Sequence, residues 1–224
     1  MNISNIISLI RLILVPIIVS LMIIGPIDND NFYHLWITSI NINSYSLPIS
    51  WLIAAILFII AAISDFIDGW WARKFNQVTT FGKFFDSIAD KLLTNGVLIV
   101  MACATIIPVW MVIILVLRDF IIDVVRQILA TKGTVMAADK YGRIKAAVQM
   151  LGITILFFIN WRFLNGSVNG HSNNDQYGLI NQLVMIPMYV ATVLSIFSAY
   201  NYISSNSKKL FNIENKRSIN INDK

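Results

Sequence analysis

Hydrophobic residues in this chain are gathered into six long runs, and polar segments separate one run from the next. About twenty mainly apolar residues are needed for a helix to cross the hydrocarbon core of a bilayer. The pattern therefore predicts an all-α integral membrane protein with six transmembrane helices. Its spans are expected at residues 6–24, 47–63 with a polar extension, 88–107, 109–129, 144–160 and 179–203.

The basic residues of the connecting segments alternate along the chain. Residues 25–46 contain no Lys or Arg and residues 162–178 contain only Arg162, whereas 74–83, 132–145 and the tail after Ser204 are basic. Positively charged segments stay in the cytoplasm. Both termini are therefore predicted to be cytoplasmic, with a transmembrane catalytic domain at 1–205 and a polar basic tail at 206–224.

Composition supports the membrane assignment, because 57% of the 224 residues are hydrophobic and only 13% are charged. The mean hydropathy of +0.69 does not describe a soluble surface. The formal net charge of +5 comes from residues scattered beside the apolar runs, so an anionic lipid surface explains it better than nucleic acid. The single cysteine, Cys103, excludes an intrachain disulfide.

The most unusual stretch is Ser64–Leu92, which joins two apolar runs yet holds four of the twelve acidic residues. They form two pairs at helical spacing, so the members of each pair share a helix face about 5–6 Å apart. Four converging carboxylates repel one another unless protons or cations neutralise them. Carboxylate oxygens are ligands that hard divalent cations favour. The four are Asp65, Asp68, Asp86 and Asp90.

The neighbours of these aspartates suit a phosphate ligand. Gly69 and Gly82 allow close approach of the backbone, and Arg73 carries a guanidinium fork that matches phosphate oxygens. The spacing leaves an alternative open, in which the aspartates form ion pairs with neighbouring Lys and Arg side chains in a solvated loop.

The same stretch reads D-x2-D-G-x2-A-R-x8-G-x3-D-x3-D and resembles the motif of the CDP-alcohol phosphatidyltransferases at every defined position. The resemblance implies that the four aspartates bind two divalent cations, Mg²⁺ or Mn²⁺, and that Asp90 is also the general base. It further implies a CDP-binding set, which comprises Asp68, Gly69, Ala72, Arg73 and Gly82.

A second group of basic residues bears on the acceptor alcohol. Arg118 and Arg126 lie in the fourth predicted span, and Arg143 and Lys145 lie at the start of the fifth. Cations beside a membrane need anions, which nearby aspartates or a phosphate on the acceptor would supply. Both interpretations are compatible with the spacing.

Residues 118–126, RDFIIDVVR, and 137–150, AADKYGRIKAAVQM, resemble a region of the bacterial phosphatidylglycerophosphate synthases. This likeness implies transfer of a phosphatidyl group from CDP-diacylglycerol to sn-glycerol 3-phosphate in a bacterial plasma membrane, by a homodimer whose active site faces the cytoplasm. The sequence departs from that pattern at Ser87, Asp119, Arg143 and Ala146.

Other functions are not excluded by the pattern alone. Within the family, the acceptor could be phosphatidylglycerol, inositol phosphate or serine, and outside it a divalent-cation transporter would also need membrane carboxylates. His34 and His171 lie in the predicted outer segments, opposite the aspartates, so no His-based nucleophilic site is expected. The tryptophans, Trp51 and Trp110 among them, are interpreted as aromatic anchors at the membrane interface.

Overall fold

The computed structural model describes residues 3–24, 39–42, 45–74, 80–104, 106–131, 140–159, 167–168, 171–172 and 179–211. Side-chain positions are described for 9–24, 48–64, 88–104, 106–131, 141–159 and 182–207. These residues form seven helices: α1 (Ile3–Ile24), α2 (Ile49–Lys74), α3 (Thr80–Cys103), α4 (Val109–Thr131), α5 (Lys140–Phe158), α6 (Leu179–Val184) and α7 (Ile186–Phe211).

Two small antiparallel hairpins lie in the connecting segments, and the described chain is otherwise helical, as predicted. Strands β1 (Ser39–Ile42) and β2 (Tyr45–Pro48) precede α2, and β3 (Ser167–Val168) and β4 (His171–Ser172) precede α6. The second hairpin surrounds the pair Asn169-Gly170, which itself lies outside the described residues. An Asn-Gly pair is the sequence most favourable to a two-residue hairpin connection.

The last predicted span is interrupted near its start. Helix α6 ends at Val184, Met185 forms a turn, and α7 begins at Ile186. Pro187 has no backbone N–H and cannot continue the hydrogen-bond ladder from α6, whereas the first turn of a new helix accepts proline. The amide groups of Met188 and Tyr189 bond instead to the Met185 carbonyl, at 2.9 and 3.0 Å.

By length and composition, two stretches of the described chain could cross a membrane, Tyr141–Phe158 and Ile186–Ser207. The apolar stretches Leu9–Ile24 and Ile49–Ser64 are shorter. Helices α3 and α4 have charged side chains within them, which lowers their mean hydropathy. The described chain therefore contains six long helices, as the predicted spans require, but only two of them have the length and composition of a membrane span.

The helices form two packed groups that contact each other. Helix α1 packs against α2 and α3, helix α7 packs against α5 and α4, and the pairs α2–α5 and α3–α4 join the groups. Many large apolar side chains remain exposed, including Leu117 on α4 and Val193 on α7. Apolar surface of this extent is expected to face lipid.

One tryptophan was assigned wrongly from the sequence. Trp51 is 1% exposed and lies in the core, where its ring is 5.8 Å from that of Phe157. Its indole N–H donates a 3.0 Å hydrogen bond to the Met22 carbonyl near the end of α1. The residue four positions later is Pro26, which has no backbone N–H to offer this carbonyl. Trp51 therefore caps α1 and is not an interface anchor.

We predict that Trp51→Phe lowers the free energy of unfolding by about 1–3 kcal/mol, because it leaves a buried carbonyl without a donor. Thermal unfolding in detergent micelles measures the change. Trp110→Phe is the matched control, since Trp110 is 46% exposed and should tolerate the substitution. Equal stability of the two variants would contradict the capping role of Trp51.

Candidate active site

A cavity of about 310 Å³ opens between α3, α4, α5 and α7. It is large enough for on the order of ten water-sized volumes of about 30 Å³ each. Its walls contain most of the charged side chains that the structure describes. The lining residues are Asp90, Lys91, Thr94, Arg118, Asp119, Ile122, Asp123, Arg126, Gly142, Arg143, Lys145, Ala146, Gln149, Met150, Ser198 and Tyr202.

The motif residues are divided between two helices. Asp65, Asp68, Gly69, Ala72 and Arg73 belong to α2, and Gly82, Asp86 and Asp90 belong to α3. Of these side chains only that of Asp90 is among those described, and it lines the cavity. The other predicted metal-binding and CDP-binding side chains lie outside the described set. Among the described side chains, no group of three or more His, Cys, Asp or Glu could hold a metal ion.

The length of α2 explains how its aspartates can lie next to an apolar stretch. Helix α2 continues as one helix from the apolar stretch Ile49–Ser64 through Lys74, so Asp65 and Asp68 lie at its polar end. Its 26 residues span about 39 Å, longer than the roughly 30 Å hydrocarbon core. The polar end of α2 can therefore extend beyond the apolar layer, which reduces the cost of its charges.

The cavity's central charged contact is the carboxylate of Asp119, which binds two cations. Lys145 Nζ lies 2.8 Å from Asp119 Oδ1 and 2.9 Å from Oδ2, and Arg118 Nη1 lies 2.9 Å from Oδ1. These side chains are largely shielded from solvent, with 4% of Lys145 and 13% of Arg118 exposed. A buried charge needs a partner in such a setting. Asp119 therefore holds α4 and α5 together.

Arg118 also fixes the position of α7. Its Nε donates to the Ser195 carbonyl at 3.3 Å, and its Nη2 donates to Ser198 Oγ at 2.7 Å. Together with the bond to Asp119, three of the five guanidinium N–H groups are used. Among the described residues, no acceptor is seen for the remaining two, which can reach a ligand in the cavity.

A second carboxylate lies closer to solvent. Asp123 forms ion pairs with Lys91 on α3 and with Arg126, the latter at 3.8 Å. Arg126 has 47% of its side chain exposed, and Arg143 at the start of α5 is also exposed. These two arginines therefore lie at the open end of the cavity.

The two interpretations of the basic group prove compatible. Internal pairing is present, because Asp119 binds Arg118 and Lys145 while Asp123 binds Lys91 and approaches Arg126. Five basic and three acidic side chains nevertheless line the cavity, so its described lining has a formal net charge of +2. A phosphate monoester carries about −1.5 to −2 at pH 7. The surplus positive charge of the described lining is therefore about equal and opposite to the charge of one phosphate monoester.

Sequence reasoning missed the contribution of α7. Ser195, Ser198, Tyr202 and Asn206 recur at helical spacing and are all less than a tenth exposed, so they form a buried polar stripe that faces the other helices. The signal was present in the sequence as polar residues every three or four positions within an apolar run. Gln149 on α5 was also missed as a lining residue, and it is 2% exposed.

Comparison with known proteins supports the family resemblance seen in the sequence motif. The family model for CDP-alcohol phosphatidyltransferase matches residues 1–203. A CDP-diacylglycerol--glycerol-3-phosphate 3-phosphatidyltransferase of Bacillus subtilis is 35% identical over 93% of this chain and 97% of its own length. Proteins of the same name from Mycoplasma genitalium and Rickettsia bellii are 38% and 29% identical, over 73% and 94% of this chain and 68% and 97% of their own lengths.

The chain belongs to the CDP-alcohol phosphatidyltransferase family, as the sequence motif predicted. It is therefore a transferase of phospholipid biosynthesis and a membrane protein.

We predict that Asp119→Asn destabilises the protein by about 3–5 kcal/mol, because it leaves two cations close together in a shielded site. Asp123→Asn is the matched control and should cost about 1 kcal/mol, since its partners are more exposed. Thermal unfolding of both purified variants checks the order. A larger loss for Asp123→Asn would show that the Asp119 contact is not the dominant one.

Proposed function

We propose that the protein transfers a phosphatidyl group from CDP-diacylglycerol to sn-glycerol 3-phosphate, which releases CMP and forms phosphatidylglycerophosphate. The names of the relatives support this reaction. The observation that carries the acceptor assignment is the cavity itself, whose described lining includes the Asp90 carboxylate and has a formal net charge of +2. A proton acceptor and a phosphate-binding surface are what a phosphorylated alcohol requires.

The acceptor phosphate is assigned to the basic residues of the cavity. Arg126 and Arg143, at the open end, are exposed and can reach an incoming anion. Arg118 supplies its two remaining N–H groups deeper in the cavity, and Lys145 contributes its charge while bound to Asp119. Arginine is well suited to this task because its planar fork binds two phosphate oxygens at once.

The family motif assigns the donor side of the reaction to α2 and the start of α3. Asp65, Asp68, Asp86 and Asp90 would hold two divalent cations, Mg²⁺ or Mn²⁺, because a set of carboxylate oxygens fits these hard ions. Such ions supply electrostatic neutralisation of the diphosphate and of the leaving group. In the CDP-binding set, Gly69, Ala72 and Gly82 leave room for the nucleotide and Asp68 and Arg73 approach its polar groups. The set is Asp68, Gly69, Ala72, Arg73 and Gly82.

Asp90 has the role of general base. Its carboxylate accepts the proton of the acceptor hydroxyl, and the hydroxyl oxygen forms a bond to the β-phosphorus of CDP-diacylglycerol. The bond from that phosphorus to the bridging oxygen breaks, and CMP leaves with the electron pair. The basic residues of the cavity hold the acceptor phosphate and so orient its hydroxyl toward the reacting phosphorus.

We further infer a location in the bacterial plasma membrane with the active site facing the cytoplasm. All six long helices would cross the bilayer in a domain at residues 1–205, with both termini and the basic tail at 206–224 in the cytoplasm. Helix α7 continues to Phe211, past the boundary of that domain. A homodimer is proposed from the family resemblance.

Release of CMP by the purified protein tests the acceptor assignment. With CDP-diacylglycerol and a divalent cation, glycerol 3-phosphate should give a kcat/KM at least about a hundredfold above that for serine, because serine has no phosphate to pair with the basic cavity. Phosphatidylglycerol and inositol phosphate complete the panel. Release with another acceptor but none with glycerol 3-phosphate would overturn the assignment, and metal flux into liposomes without CMP release would favour a transporter.

We expect Asp90→Asn to reduce turnover by about 10²–10⁴-fold, because the variant cannot accept the acceptor's proton. Binding of CDP-diacylglycerol should persist, since the other motif residues are intact. CMP release and nucleotide binding are measured side by side. Asp30→Asn, the same chemical change in a predicted outer segment, is the control, and activity retained by Asp90→Asn would remove Asp90 as the base.

A further inference from the structure

The deep end of the cavity contains a polar atom without a hydrogen-bond partner. Gln149 is 2% exposed, and among the described residues nothing bonds to its Oε1. A buried acceptor of this kind costs free energy unless a donor reaches it. Because Gln149 lines the cavity, the missing donor can come from a bound molecule.

The position of Gln149 sets it apart from the cavity's basic residues. On α5 it follows Lys145 by one helical turn, on the same buried face, whereas Arg143 lies at the exposed start of that helix. Gln149 therefore adds a neutral polar group to the lining, one turn beyond the buried Lys145. A ligand that contacts both the basic residues and Gln149 has an anionic group and, a few atoms away, a neutral hydroxyl.

We propose that Gln149 binds the non-reacting central hydroxyl of the acceptor polyol and thereby determines acceptor specificity. The inference rests on the proposed function, in which the primary hydroxyl is the nucleophile because it is the less hindered one. Gln149 Oε1 accepts the hydrogen bond of the central hydroxyl. This contact selects polyol phosphates over phosphates that lack that hydroxyl.

The test compares two acceptors, glycerol 3-phosphate and 1,3-propanediol phosphate, which lacks the central hydroxyl. The wild-type protein should prefer glycerol 3-phosphate by about 10- to 100-fold in kcat/KM, because the deoxy acceptor has no central hydroxyl to donate to Gln149. Gln149→Met removes the acceptor atom at similar size. It should lower kcat/KM for glycerol 3-phosphate by about 10- to 100-fold and leave that for the deoxy acceptor within about twofold.

Two controls separate this effect from others. Gln127→Met makes the same change at an exposed position outside the cavity and should leave the preference intact. Arg126→Gln should weaken both acceptors alike, since both carry the phosphate.

The outcomes distinguish the inference from the proposed function. If the wild-type protein released no CMP with glycerol 3-phosphate, the proposed function itself would be wrong. Turnover of glycerol 3-phosphate with no preference over the deoxy acceptor would overturn the inference alone, and this measurement needs no variant to fold. An equal loss for both acceptors in Gln149→Met would likewise overturn it, since that is the signature of a structural role.

Discussion

The shared carboxylate of Asp119 is the contact on which the site depends. It lies between Lys145 of α5 and Arg118 of α4, and Arg118 in turn bonds to the backbone and a hydroxyl of α7. Three helices are thus linked through one half-buried anion. Lys145 and Arg118 would repel each other in a medium of low dielectric without it, so charge balance fixes how closely the helices approach.

That contact needs a rigid apolar frame around it. Helix α1, capped by Trp51 of α2, packs against α2 and α3, and Phe157 of α5 contacts both Trp51 and Phe58. This frame holds α3 in place so that Asp90 faces the same cavity as the cations on α4 and α5. The apolar packing therefore sets the geometry of the polar site, and the polar site adds the link to α7.

Sequence reasoning predicted the parts whose residues act at fixed local spacing. The aspartates of α2 and α3 lie one helical turn apart within each pair, so the motif could be found without any tertiary information, and family membership followed from it. Helix boundaries near Pro187 and the hairpins depended on local backbone chemistry that hydropathy averages out. The roles of Trp51 and of the α7 stripe required knowledge of which helix faces meet, because the sequence of an apolar run does not show which helix it packs against.

The separation of the exposed arginines from the buried Gln149 has a consequence for selectivity. Coulomb attraction acts over many ångströms, so the surplus positive charge at Arg126 and Arg143 favours any phosphorylated solute over a neutral one. It cannot distinguish one phosphate monoester from another. A hydrogen bond acts only near 3 Å, so the choice among phosphorylated alcohols falls to short-range contacts such as that proposed for Gln149. Recognition of the acceptor thus separates into attraction by charge and selection by hydroxyl geometry.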